Sequence, residues 1–72
     1  MAVGRRVREL RKLLQVSQEE LAGRADLHRN YVGSVERGER DIGITALGQL
    51  ARALGVSLAD FFAPFQPRQR RD

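Results

Sequence analysis

Residues 17–40 read SQEELAGRADLHRNYVGSVERGER, and the fold is decided there. Ser17-Gln18-Glu19-Glu20 has the S-x-x-E form of a capping box, in which a serine oxygen satisfies a free amide at a helix start. The pattern predicts a helix that begins at Gln18, turns Leu21, Ala22 and Ala25 inward, and ends near Ala25. Asp26 is the turn residue, because Asp tolerates the left-handed conformation better than most side chains. A further helix is expected from about Arg29 to Arg37, with His28 at its N-cap although His is not a favoured cap. Val32 and Val35 are its inward positions, and Gly38 ends it.

Upstream, Val3, Val7, Leu10 and Leu14 recur at helical spacing with charges between them, which predicts an amphipathic first helix. Downstream, Glu39 to Gly43 form a polar loop. Ile44, Leu47, Leu50, Ala51 and Leu54 then share one face of a fourth helix that Gly55 terminates. Ser57 caps a short fifth helix, Leu58 to Phe62, with Asp60 as its acidic partner, and Pro64 is expected to stop it. Five helices with short connections and no strand signal predict an all-α, compact five-helix bundle. One domain is expected over residues 1–63, with residues 18–37 as its distinctive unit and a flexible basic tail over residues 64–72.

Composition excludes several functions. The chain has 72 residues, no cysteine and one histidine. That leaves no disulfide, no thiolate metal site, no Cys nucleophile and no multi-His metal centre. No convergent set of polar groups suggests a catalytic pocket, so the expectation is a protein that is not an enzyme and uses no cofactor or metal. No apolar run reaches the ~20 residues of a membrane span. The opening MAVGRRVREL carries charge where a secretion signal needs an apolar stretch, so a cytoplasmic location is expected. Thirteen basic residues against nine acidic ones give a net charge of +4, and only Lys12 is not Arg. The excess lies at the two ends, which suits a polyanionic partner because each neutralised phosphate releases counterions. A charge of this size is equally suited to solubility.

The helix–turn–helix of residues 18–37 turns this balance toward duplex DNA. In such a unit the second helix enters the major groove with its first turn against base edges. The outward positions there are His28, Arg29, Asn30, Gly33 and Ser34. Arg can bond guanine at two points and Asn adenine at two. Gly33 has no side chain and would let the helix approach closely, at about 1 kcal/mol of helix propensity. Gln18 sits at a helix N-terminus, where free amides and the dipole favour a phosphate. Arg37 and Arg40 flank the helix end and suit the sugar–phosphate backbone. Phe61 and Phe65 are the expected contacts between two copies of the chain, with Phe61 also at least partly core; for Phe65 a disordered tail is the competing reading.

These residues, followed by LGQLARALGVSLADFF, also resemble the Xre-type helix-turn-helix family of phage Cro proteins and repressors, which includes the small controller proteins of restriction–modification systems. The resemblance spans about Val7 to Phe62. It is carried by S-Q-E-x-L-A, a Y-V-x-x-V-E-R-G block and an L-A-x-x-L-G-V-S block together. It implies a lambda repressor-like five-helix fold, bases faced by His28, Arg29, Asn30 and Ser34, and backbone faced by Gln18, Tyr31, Arg37 and Arg40. It further implies an ion pair between Arg11 and Glu36, and a homodimer on a palindromic operator. Three positions depart from the family pattern: Asp26 stands where a Gly is common, Ile42 where a Pro is common, and Gly33 where many relatives carry a side chain. The function expected is a sequence-specific DNA-binding transcriptional regulator, with double-stranded DNA and itself as partners and RNA polymerase as a further candidate. The alternative is a protein-interaction module such as the antitoxin of a toxin–antitoxin pair.

Overall fold

A computed structural model describes residues 2–65. The helices are α1 (Ala2–Leu14), α2 (Gln18–Ala25), α3 (Arg29–Glu36), α4 (Ile44–Leu54) and α5 (Leu58–Phe62), followed by a 3-10 turn, Ala63–Phe65. There is no strand among the described residues.

The ends of the helices follow from their capping residues. Ser17 and Ser57 are extended N-caps whose side chains accept the amides of Glu20 and Asp60 at 2.9 and 3.0 Å. The box at Ser17 is half made, because Glu20 pairs forward with Arg24 at 2.7 Å. Asp26 does take the left-handed conformation, at φ 58°, and its amide closes the end of α2. A second non-glycine residue, Gln15, has φ 64° at the end of α1.

Val7, Leu21, Val32, Leu50 and Phe61 have no exposed surface, and with Val35, Leu47 and Leu54 they form one core shared by all five helices. α1 lies across α3 and α4, α2 packs on α3 and α4, and α5 sits against α4. Three polar contacts and one glycine set these positions. Arg6 donates from Nε to the Phe61 carbonyl and from Nη2 to the Asp60 carbonyl, both at 2.8 Å, so α1 supplies a cation to the last carbonyls of α5. Gln49 on α4 donates to the Ala25 carbonyl at 2.9 Å, which holds the end of α2. Gly4 brings α1 against the end of α3, since a Cβ there would collide with the Val35 carbonyl oxygen.

Three expectations are corrected. Ile44 is 73% exposed, because the first residue of α4 lies at the rim of the bundle, short of the core. Leu14 is also exposed, at the end of α1 beyond the reach of its neighbours. α5 ends at Phe62, as expected, and Pro64 lies in the 3-10 turn that follows it. Phe61 is fully buried and cannot offer its ring to a second copy, so its role is in the core. Of the tail expected over 64–72, residues 66–72 lie outside the described residues. No helix among the described residues is long and apolar enough to cross a membrane.

Candidate nucleic-acid interface

The first turn of α3 is clear of its neighbours. His28 is an extended N-cap, and its Nδ1 accepts the Asn30 amide at 3.1 Å. His28, Arg29 and Asn30 are exposed, and neither α4 nor the loop before it covers them. Ser34 is half-buried and donates its hydroxyl to the Asn30 carbonyl at 2.9 Å. Arg29 lies 3.8 Å from Glu19 with both side chains largely in water, so the pair is weak and leaves the guanidinium free to move.

This turn forms one wall of an open trough of about 650 Å³, and the start of α2 forms the other. Ser17, Gln18, Arg29, Asn30, Ser34 and Arg37 line it. The sequence expectation of a bare surface at Gly33 is corrected. Gly33 is buried, because Arg37 and Gln18 lie over it: a Cβ there would fall 3.0 Å from Arg37 Nη1 and 3.4 Å from Gln18 Oε1.

Below the trough, Arg11 and Glu36 are joined in a two-point ion pair. Arg11 donates from Nε to Glu36 Oε2 at 2.7 Å and from Nη2 to Oε1 at 3.0 Å. Its Nη1 donates to the Val16 carbonyl at 3.0 Å, which also fixes the chain before α2. Hydrogen bonding to Glu36 raises the Arg11 pKa above its ordinary value, against the opposing effect of burial. Gln18 adds a third donor to Glu36, from Nε2 to Oε1 at 2.9 Å. The side chain at the start of α2 is thereby oriented from the core. Pair and clamp are one network in which α1, α2 and α3 meet.

Arg40, in the loop after α3, stacks over the ring of Tyr31, in the first turn of that helix, at 5.4 Å. Arg37 donates from Nε to Glu39 at 3.0 Å. That hydrogen bond raises the Arg37 pKa and lowers that of Glu39, so both remain charged over a wider range than either alone.

A helix-turn-helix family model matches residues 7–61, a span that includes α2, α3 and the part of α1 that carries Arg11. The chain belongs to the Xre-like helix-turn-helix family. Members of that family are DNA-binding transcriptional regulators, and this chain is one of them. It is similar to the control protein C.SmaI of Serratia marcescens, with 48% identity over 72% of this chain and 62% of that protein. It is also similar to the control protein C.BamHI of Bacillus amyloliquefaciens, with 40% identity over 79% of this chain and 72% of the relative. Among solved structures, the restriction-modification controller protein C.AhdI from Aeromonas hydrophila superposes with a TM-score of 0.81 at 43% identity, over 83% of this chain and 91% of that one. A further similar structure is C.Esp1396I, seen as a tetramer in complex with its natural 35 base-pair operator; it has a TM-score of 0.82 and 31% identity over 86% of this chain and 82% of that one.

The family resemblance anticipates the Arg11–Glu36 pair, but not the third bond from Gln18 nor the path of Arg37. Neither has a sequence signal, because each depends on which way a long side chain turns. Phe65 lies on a different face. It keeps 39% exposure, packs at 5.9 Å on the Phe62 ring, and borders a cleft of about 230 Å³ between the 3-10 turn and the start of α1, beside Ala2, Arg5 and Glu9.

Proposed function

We propose that this regulator binds a palindromic operator as a homodimer, inserting the first turn of α3 into the major groove of each half-site. The observation that carries the reading is the exposed turn His28–Arg29–Asn30 beside a polar trough shared with the start of α2. His28, Arg29, Asn30 and Ser34 face bases over Gly33, and Gln18, Tyr31 and Arg40 face the sugar–phosphate backbone. Gln18 suits a backbone role because Glu36 uses one of its amide hydrogens and leaves the second for a phosphate. Arg29 suits guanine because its side chain lies in water at the reading turn and its ion pair with Glu19, at 3.8 Å, is weak enough to give way to a base.

Two-fold pairing would put the two reading helices about 34 Å apart, one turn of duplex. The half-exposed Phe65 and its cleft are the surface assigned to that pairing. Association of a relative with its operator as a tetramer supports DNA binding by more than one copy. The chain acts as a binding protein, not a catalyst, on DNA in the cytoplasm. RNA polymerase, the further partner, would be reached from the exposed side of α2 or the loop after α3.

Selection of bound sequences from a random duplex pool, at two salt concentrations, tests the reading. The expected result is an enriched inverted repeat with half-site centres about 10 base pairs apart, and affinity that falls steeply with salt. Binding without any enriched sequence would overturn it.

A further inference from the structure

The Arg37 side chain does not run on past the end of α3. Its Nη1 occupies the space where a side chain on Gly33 would begin, 3.0 Å from that Cβ position. Gly33 lies four residues earlier, one helical turn toward the reading end. Arg37 has therefore turned back along the outer face of α3. Gly38, at φ 76°, reverses the chain there. The Glu39 amide then donates to the Ser34 carbonyl at 2.9 Å, which sets the Glu39 carboxylate beside Arg37. That carboxylate accepts Arg37 Nε at 3.0 Å. With Nε engaged, the Nη edge is the part of the fork left for a ligand, and Arg37 lines the trough together with Gln18, Arg29, Asn30 and Ser34.

We propose that Arg37 reads a base: its guanidinium fills the place of a Gly33 side chain and offers its Nη edge to guanine. The inference rests on the DNA-binding reading above, and it replaces the backbone role that the sequence suggested for this residue. Electrostatics decide between the two roles. A phosphate brought to Arg37 would also meet the Glu39 carboxylate, and like charges at that range repel. Guanine O6 and N7 are uncharged acceptors and meet no such opposition. A phosphate needs only a cation, whereas a two-point bond to guanine needs a guanidinium plane held in place, as Glu39 holds this one. Glycine at position 33 is explained in the same terms. It makes room for Arg37, and a side chain there would displace the fork.

The test compares the wild-type chain with Arg37→Lys, Arg37→Ala, Gly33→Ala and the double variant Gly33→Ala/Arg37→Ala. Each is measured on the selected operator and on single base-pair changes within it. Arg37→Lys keeps the charge and loses the fork. It is expected to lose about 5- to 140-fold discrimination at one base pair, with the salt dependence unchanged. Arg37→Ala should lose discrimination at the same base pair. Gly33→Ala should reduce it there too, and have no further effect in the double variant. Circular dichroism should show every variant folded, since Arg37 is half-exposed. Equal weakening on all sequences by Arg37→Ala, with Arg37→Lys close to wild type and the base preferences intact, would overturn the assignment and return Arg37 to the backbone. A wild-type chain that selects no sequence would instead overturn the function on which the inference rests.

Discussion

Replacing Arg11 by alanine should remove a large share of the stability of this domain. The Glu36 side chain is 3% exposed, and Arg11 supplies two of the three hydrogen bonds it accepts. Without Arg11 the carboxylate remains buried with Gln18 alone, and the Val16 carbonyl loses its side-chain donor as well. Removing one partner of a buried pair costs about 3–5 kcal/mol. At ~0.05–0.15 kcal/mol per residue, a chain of 72 residues has about 4–11 kcal/mol in total. The loss therefore takes between about a quarter and all of it. Urea denaturation followed by far-UV circular dichroism measures this directly. A thermal scan should show a midpoint at least about 12 °C lower, at roughly 4–8 °C per kcal/mol for a domain of this size. Changing both partners to apolar residues, Arg11→Met with Glu36→Leu, should recover most of the loss, because no charge is then left stranded. A cost below about 1 kcal/mol for Arg11→Ala would place the pair with ordinary surface ion pairs and refute the argument from burial.

Gly4→Ala should destabilise by about 1–3 kcal/mol, because the new methyl meets the backbone oxygens of Val35 and Glu36, which cannot move independently of α3; an unchanged urea midpoint would show that α1 can shift freely. Arg29→Ala should cost about 1–3 kcal/mol at one base pair of the operator and little elsewhere, measured by titration of single-site operator variants. Equal loss on every sequence would reassign Arg29 to a phosphate. Phe65→Ala should leave the fold intact and lower the sedimentation coefficient at micromolar concentration; an unchanged profile removes Phe65 from the pairing surface. The Glu39 carboxyl is held below its ordinary pKa by Arg37, so the contribution of the pair is complete above the ordinary glutamate range and disappears as pH falls through the lowered value. NMR titration of the Glu39 carboxyl should give that lowered midpoint, and Arg37→Ala should return it to the ordinary range.

Most of the helical framework is legible because the chain marks helix ends with short side chains. Ser17, Ser57, Asp26 and Gly38 each act within a few bonds of their own backbone, and their identity suffices to read them. Periodicity places Val7, Leu21, Val32 and Leu50 in the core, and it fails for Ile44 and Leu14, which share the phase of the buried face yet lie at helix ends where no neighbour reaches them. Long side chains are where reading from sequence stops. Arg6, Gln18, Arg37 and Gln49 all look like outward polar residues, and each folds back onto a partner distant in sequence or onto a neighbouring turn. Gly4 is unread for a related reason: a glycine inside an amphipathic helix signals nothing until the helix it touches is known.

The cap at His28 fixes a tautomer. An imidazole that accepts the Asn30 amide at Nδ1 must hold its hydrogen on Nε2, at the tip that faces away from the helix. In the base-facing role proposed for it, His28 can then offer only a donor. Purine N7, guanine O6 and thymine O4 are complementary to it, and the amino group of cytosine is not. On the proposed mode of binding, a single backbone amide thus limits the bases that the first side chain of this turn can accept.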